Sequence, residues 1–176
     1  TRGREQGSDC SKPVNHTLLT AFGFACQIHK VSGILVVDGK LVLLKRGDKD
    51  PDGTDRVWYE PFGGKPDYNY ENPQGLLRRE GQEELGITVR VGECLGIAQH
   101  PKFLSRTVAY FKCECPKGRT PENMAPDEHL DVVRVSPKDL QALIDQGKDI
   151  QLPSGIVEEF IRTGDVTSLY KKMCGP

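Results

Sequence analysis

Long apolar runs are missing from this chain. The longest, "GILVV" (33–37) and "LVLL" (41–44), fall far short of the ~20 residues that a membrane-spanning helix needs, so no membrane-embedded role is expected. An excess of one charge is missing too: 24 Lys and Arg stand against 25 Asp and Glu, for a net charge of −1. No global field therefore draws the chain to extended nucleic acid or to anionic lipid. The opening "TRGREQGSDCSKP" is polar and carries no signal or transit pattern. There is no internal repeat and no low-complexity tract. Six cysteines in 176 residues are too few for a disulfide framework in a chain able to build its own core. Cys113 and Cys115 form a lone C-x-C with no second pair at zinc-ligand spacing. Mostly reduced thiols favour the cytoplasm, with secretion after removal of a leader as the alternative; on that alternative Asn15-His16-Thr17 would be a glycosylation sequon.

What is present suits one soluble domain. With 36% apolar and 28% charged residues, one core is affordable and the surface is well solvated. Residues 1–16 read as a loose N-terminal arm and 17–176 as a single domain, whose sheet opens somewhere in 17–30. Two β-branched apolar runs joined by Asp38-Gly39 form a hairpin signal, since this dipeptide suits a type I′ turn. A polar loop, "GDKDPDGTD", leads to a short strand around 57–59. Asn72 can cap a helix with Pro73 at its first position, and Gly86 fits the left-handed position past its end, giving a helix over about 73–85. Strands follow in "ITVRVGECLGIAQ", "RTVAYFKCEC" and "HLDVVRVS". Helices over about 137–146 and 154–162 complete the order. Strands and helices alternate around a mixed sheet, so the fold class is α/β.

The helix over 73–85 holds an electrostatic anomaly. Glu80, Glu83 and Glu84 lie within five positions of "RREGQEELG" (78–86), and carboxylates three and four apart on a helix repel by a few tenths of a kcal/mol per pair. Arg78 and Arg79 offset only part of this. A solvated acidic face is one account. The other is a convergent set of hard oxygen ligands for Mg²⁺ or Mn²⁺, with waters and substrate phosphates completing the shell.

The wider stretch "GGKPDYNYENPQGLLRREGQEELGI" (63–87) resembles the Nudix hydrolase signature, G-x5-E-x7-R-E-U-x-E-E-x-G-U, U being aliphatic. Glu71, Arg79, Glu80, Glu83, Glu84, Gly86 and Ile87 match in type and spacing. Two positions depart from it: six residues instead of five separate Gly64 from Glu71, and Gly81 stands where the family has an aliphatic side chain. A mid-helix glycine costs about 1 kcal/mol relative to alanine, which close approach to the sheet would offset.

The resemblance implies a small α/β/α sandwich around a mixed β-sheet. It also implies a divalent-metal site and hydrolysis of a phosphoanhydride bond in a small phosphorylated metabolite. Carried over by motif position, Glu80 and Glu84 would be the principal metal ligands. Glu83 would be a further ligand or would orient the attacking water. Arg79 would hold a box carboxylate, Glu71 would play a supporting role, and the backbone of Gly63-Gly64 would lie close to the metal. Relatives often take a further acid from a later loop; "APDEHLDVV" offers Asp127 and Glu128, of which Glu128 is the favoured catalytic candidate.

Cations near the expected site, Arg46, Lys65, His100, Lys102 and Arg106, are candidates for holding substrate phosphates. Trp58, Phe62, Tyr68, Tyr70 and Phe103 are expected mainly to pack, with at most one touching substrate. "DKDPDG" (48–53) begins like an EF-hand loop, but its twelfth position is Tyr59 and not the bidentate glutamate calcium needs, so a polar hairpin loop is expected. Pro101, fifteen residues after Gly86, resembles the ADP-ribose-hydrolysing subgroup. "CLGI" with "SRTVAYF" resembles enzymes acting on diphosphoinositol polyphosphates. Both substrate types stay open, with an RNA-cap hydrolase and a catalytically inactive binding module of the same fold as alternatives. The sequence does not indicate an oligomeric state.

Overall fold

The computed structural model describes residues 28–66 and 72–167. The expected arm (1–16), the stretch 17–27, Glu71, Tyr68, Tyr70, the sequon at Asn15 and the cysteines at 10, 26 and 174 lie outside these. Among the described residues the strands are β1 (Lys30–Val37), β2 (Lys40–Lys49), β3 (Asp55–Glu60), β4 (Phe62–Gly64), β5 (Arg90–Gln99), β6 (Thr107–Glu114), β7 (Asp131–Val135) and β8 (Asp149–Ile150). The helices are α1 (Pro73–Glu80), continued by a π-helical turn over Gly81–Leu85, then α2 (Pro137–Asp145) and α3 (Ser154–Thr163). No helix among the described residues is long and apolar enough to cross a membrane.

Local chemistry explains most of these boundaries. Asp38 and Gly39 turn the β1–β2 hairpin with φ of 51° and 74°, the positive values a type I′ turn requires. The Asn72 side chain accepts the Gly75 N–H at 2.7 Å and caps α1. Ser136 caps α2 through a reciprocal capping box with Asp139, which satisfies two otherwise orphaned backbone donors. The acidic stretch 48–53 forms the end of β2 and the β2–β3 turn, where the Asp52 carboxylate accepts from the Thr54 N–H at 3.0 Å. It is the polar hairpin loop expected from the missing twelfth-position acid.

One eight-stranded mixed sheet runs β5-β6-β1-β2-β3-β8, with β4 paired to β1 and β7 to β2. β1 lies parallel to β6 and β3 parallel to β8, and the other pairs are antiparallel. Each sheet face buries its own apolar cluster. Leu76, Leu77 and Leu85 of α1 and its π turn pack with Val31, Leu35, Val42, Leu44, Ala109 and Phe111. Leu140 of α2 and Ile156 and Phe160 of α3 pack on the opposite face with Ile34, Leu41, Leu43, Val108 and Tyr110. Alternate residues of β2 and β6 divide between the clusters, as the two-residue period of a strand demands. The result is the α/β/α sandwich around a mixed sheet.

The helix expected over 73–85 departs from simple α geometry. It is α-helical only to Glu80, and the next five residues form the π turn. Gly81 in this turn is buried, and a Cβ there would stand 3.0 Å from the Ile87 carbonyl oxygen and 3.4 Å from Val89 Cγ1. The glycine thus admits the segment that leads from the turn into β5. Sequence periodicity could not foresee this, because a single π turn shifts the bonding from i→i+4 to i→i+5 over too few residues to leave a pattern of its own.

Candidate active site

The π turn sorts the three glutamates. Glu80 and Glu84 face inward, their side chains only 13% and 8% exposed, while Glu83 lies outward at 60%. Arg79 Nη1 stands 3.0 Å from Glu80 Oε1 and 3.5 Å from Glu83 Oε2, so one guanidinium spans two of the acids. Burial, together with the hydrogen-bonded and charged Glu84, pushes the Glu80 carboxyl up to about 8; Arg79 opposes this and Glu83 adds to it. Without a cation, Glu80 therefore favours its protonated form near neutral pH, because a second negative charge beside Glu84 in a half-dry site is disfavoured.

At the end of β4, Gly64 lies against Glu80 and Gly63 against the Val31 backbone. A Cβ on Gly63 (φ 147°) would collide with the Val31 carbonyl oxygen, and one on Gly64 would collide with the Glu80 carboxylate. The family resemblance implies that this backbone lies close to the metal; the structure brings Gly64 against Glu80.

A histidine is buried with the pair. His129 is 2% exposed, with Nε2 3.1 Å from Glu84 Oε2. That contact has the distance of an ion pair without the alignment of a hydrogen bond, and neither ring nitrogen has an aligned partner among the described residues. The segment carrying His129 straps over the end of the box: the Glu122 and Met124 N–H groups donate to the Leu85 and Glu84 carbonyls at 3.0 and 3.2 Å. The Asn123 side-chain amide donates to the His129 carbonyl at 3.0 Å. Asp127 and Glu128 are exposed on the turn just before it. The sequence reading stopped one residue short of His129; its only sequence signal was its place beside the favoured acid.

A cleft with a volume of about 430 Å³ opens beside Gly63 and Gly64. Arg46, Lys65, His100 and Arg106, all candidates from sequence, line it, whereas Lys102 does not. Lys102 is exposed, and its backbone N–H donates to His100 Nδ1 at 3.1 Å. Strand register added residues that the sequence did not single out for this role. Glu60, Trp58 and Arg56 pair with Leu44, Arg46 and Asp48 across β2–β3, so they share the sheet face on which α1 packs. Glu60 accepts from Arg46 at 2.9 Å and from Lys30 at 3.3 Å. Burial alone would raise the Glu60 pKa, but the two cations together outweigh it and hold the carboxyl below its ordinary value. Of the five aromatic candidates, Phe62 is core and Trp58 and Phe103 line the cleft.

The cysteines among the described residues, Cys94, Cys113 and Cys115, are free thiols. Burial pushes Cys94 up to about 11 and Cys113 up to about 12, which makes both poor nucleophiles.

Chemically, the inner pair offers hard oxygen donors whose charge Arg79 offsets only in part, and such donors fit Mg²⁺ or Mn²⁺. Among the described residues no group of three His, Cys, Asp or Glu side chains stands in metal-holding geometry. A cation held by the two carboxylates would take the rest of its shell from waters and substrate oxygens.

Comparison with known proteins agrees with this geometry. The family model described as NUDIX domain matches residues 28–154. No curated protein sequence matches the chain. Among solved structures, the chain is similar to a UDP-X diphosphatase at 19% identity, covering 87% of this chain and 71% of that one with a TM-score of 0.54. It is similar to a NUDIX hydrolase from Nitrosomonas europaea at 18% identity, covering 82% and 95%, with a TM-score of 0.52. The MutT protein from Methanosarcina mazei Go1 is 24% identical over 77% and 91%, with a TM-score of 0.50. At these identities the structural likeness concerns the fold; the family rests on the domain match, which spans well over half of the chain. The chain belongs to the NUDIX domain family of pyrophosphohydrolases.

Proposed function

We propose that this chain is a divalent-metal-dependent hydrolase of a phosphoanhydride bond in a small anionic metabolite. The substrate is a nucleoside diphosphate linked to another moiety, of the ADP-ribose type, or a diphosphoinositol polyphosphate. The observation that carries the reading is the buried Glu80–Glu84 pair, with Glu80 against Gly64, a residue that also lines the cation-rich cleft. Mg²⁺ or Mn²⁺ bound there would neutralise the pair, withdraw charge from the phosphoryl oxygens and acidify a bound water.

The chain's own residues have distinct parts. Glu80 and Glu84 would hold the cation, the Gly64 backbone lies against Glu80, and Arg79 fixes the Glu80 carboxylate. Glu83, exposed and 3.5 Å from Arg79, would accept a proton from the attacking water. Glu128, on the exposed turn before His129, is a second acid for that task. Arg46, Lys65, His100 and Arg106 bind the substrate's negative charge. In the reaction water adds to one phosphorus as the bridging P–O bond breaks; the bridging oxygen leaves on the other phosphoryl group with the bond's electron pair, and the water's proton passes to Glu83 or Glu128.

Phosphate release with Mg²⁺, run over ADP-ribose, dinucleoside polyphosphates, capped RNA and a diphosphoinositol polyphosphate, tests this. The expected result is metal-dependent turnover of one compound that Glu84→Gln abolishes. Tight ligand binding without turnover, unchanged by Glu84→Gln, would instead mark a binding module.

A further inference from the structure

The cleft beside the glutamate pair is out of charge balance. Lys30, Arg46, Arg56, Lys65 and Arg106 line it against Asp48 and Glu60, five positive charges to two negative, in a chain whose net charge is −1. Glu60 is already held by Lys30 and Arg46. Asp48 is the register partner of Arg56, yet the two form no ion pair. The Arg56 guanidinium instead lies 4.5 Å from the centre of the Trp58 ring. Arg106 does the same over Phe103, at 4.7 Å. Neither arginine has a carboxylate partner among the described residues, and the buried Arg56 Nε–H has no acceptor.

This arrangement discriminates between ligands. A nucleoside is commonly gripped by laying its base on an aromatic face. Here both aromatic side chains lining the cleft, Trp58 and Phe103, already carry an arginine over a face. A guanidinium stacked in this way uses its π surface and leaves its in-plane N–H fork for a phosphate.

The two histidines add fixed donors. His29 Nδ1 accepts the Thr107 N–H at 3.0 Å, and His100 Nδ1 accepts those of Lys102 and Phe103, each at 3.1 Å. A ring nitrogen that accepts carries no proton, so each ring's N–H sits on Nε2.

We propose that this cleft holds the part of the substrate that is not hydrolysed, and that this part is a compact polyanion bearing phosphoryl groups beyond the scissile diphosphate, not a nucleoside. Arg56 and Arg106 are its specificity-determining residues, with Arg46 and Lys65 beside them. The inference rests on the phosphoanhydride reading of the neighbouring carboxylates, but its test does not use turnover.

The experiment is calorimetric titration in EDTA, with Trp58, the chain's one tryptophan, as a fluorescent reporter inside the cleft. The probes are inositol hexakisphosphate, linear tripolyphosphate, ADP and ADP-ribose. A polyanion is expected to bind at least about ten-fold more tightly than either nucleotide, with an affinity that falls as salt rises. Arg56→Gln and Arg106→Gln should each weaken it by roughly ten-fold. Arg90→Gln, at an exposed cation paired with Glu114 away from the cleft, should leave it unchanged. Should Arg56→Gln fail to fold, Arg56→Lys keeps the charge without the fork and should still weaken binding. The two polyanion arms tell a ring-borne from a linear arrangement of phosphates. Nucleotides binding as tightly as the polyanions, or polyanion affinity indifferent to both arginine substitutions, would overturn the proposal. Polyanion binding that persists while no substrate is hydrolysed would defeat the phosphoanhydride reading and leave the cleft assignment standing.

Discussion

The Glu80 carboxylate lies against the α-carbon of Gly64, in the space that a Cβ would fill. This contact joins β4 to the end of α1 and sets the carboxylate's position from outside its own helix. Gly64→Ala should displace Glu80 while leaving the apolar clusters untouched. Turnover should fall by about 100-fold, the usual penalty when a reacting group is misplaced by an ångström, with little change in urea midpoint. A Gly64→Ala protein with wild-type kcat/KM would show that Glu80 does not need its observed position.

The raised Glu80 carboxyl has a consequence for stability with a definite sign. Its folded pKa, about 8, lies above the unfolded value, so the metal-free fold binds the proton more tightly than the unfolded chain does. Stability from this group is greatest in acid and is lost as pH rises between the unfolded value and about 8. In EDTA at pH 8–9, Glu80→Gln should therefore melt at a higher temperature than the wild type, although it removes a proposed metal ligand. Saturating Mg²⁺ should reverse the order by stabilising the wild type, by about 2.7 kcal/mol at a hundred times Kd, with no such gain in Glu80→Gln. Thermal melts with and without metal read both effects; a metal-free variant no more stable than wild type would remove the electrostatic argument.

His129 is closed in with Glu84 and has no aligned hydrogen-bond partner. Groups that orient a metal-binding side chain typically account for 10- to 100-fold in metal affinity or activity. His129→Asn should therefore weaken Mg²⁺ or Mn²⁺ binding by roughly ten-fold or more in calorimetry, whereas Glu128→Gln, on the exposed turn, should leave metal affinity unchanged and act, if at all, on kcat. Equal metal affinity in wild type and His129→Asn would reduce the histidine to packing.

The features legible in the sequence were those encoded locally. Asp38-Gly39 specifies its turn through allowed φ values, Asn72 and Ser136 specify helix starts through caps, and Glu80, Glu83 and Glu84 share one short helical stretch. What escaped depended on contacts between distant segments. The π turn that turns Glu83 outward follows from how Gly81 packs against Ile87 and Val89. The Glu60–Lys30–Arg46 cluster needs the register of β3 on β2 and the place of β1. Arg46, Lys65, His100 and Arg106 could be named by charge and proximity to the motif. Arg56 could not, because nothing in "TDRVWYE" says that its guanidinium covers Trp58. His129 was hidden for the same reason: whether it or Glu128 faces the carboxylates is decided by how 115–130 straps across the box.

Glu60 gives a pH prediction independent of the metal site. Lys30 and Arg46 hold its folded pKa below the ordinary glutamate value despite burial, so the unfolded state takes up the proton first. The stability this supplies is complete above the unfolded pKa, about 4.3 for glutamate, and drains away as pH falls through the lower folded value. Glu60→Gln should lose about 1.5–3 kcal/mol at pH 7, because it leaves two cations without their shared acceptor. The gap between wild type and variant should then close in acid. Urea midpoints at neutral pH and at pH below 4 check this; a gap that stays constant would show that the cluster contributes through packing and not through charge.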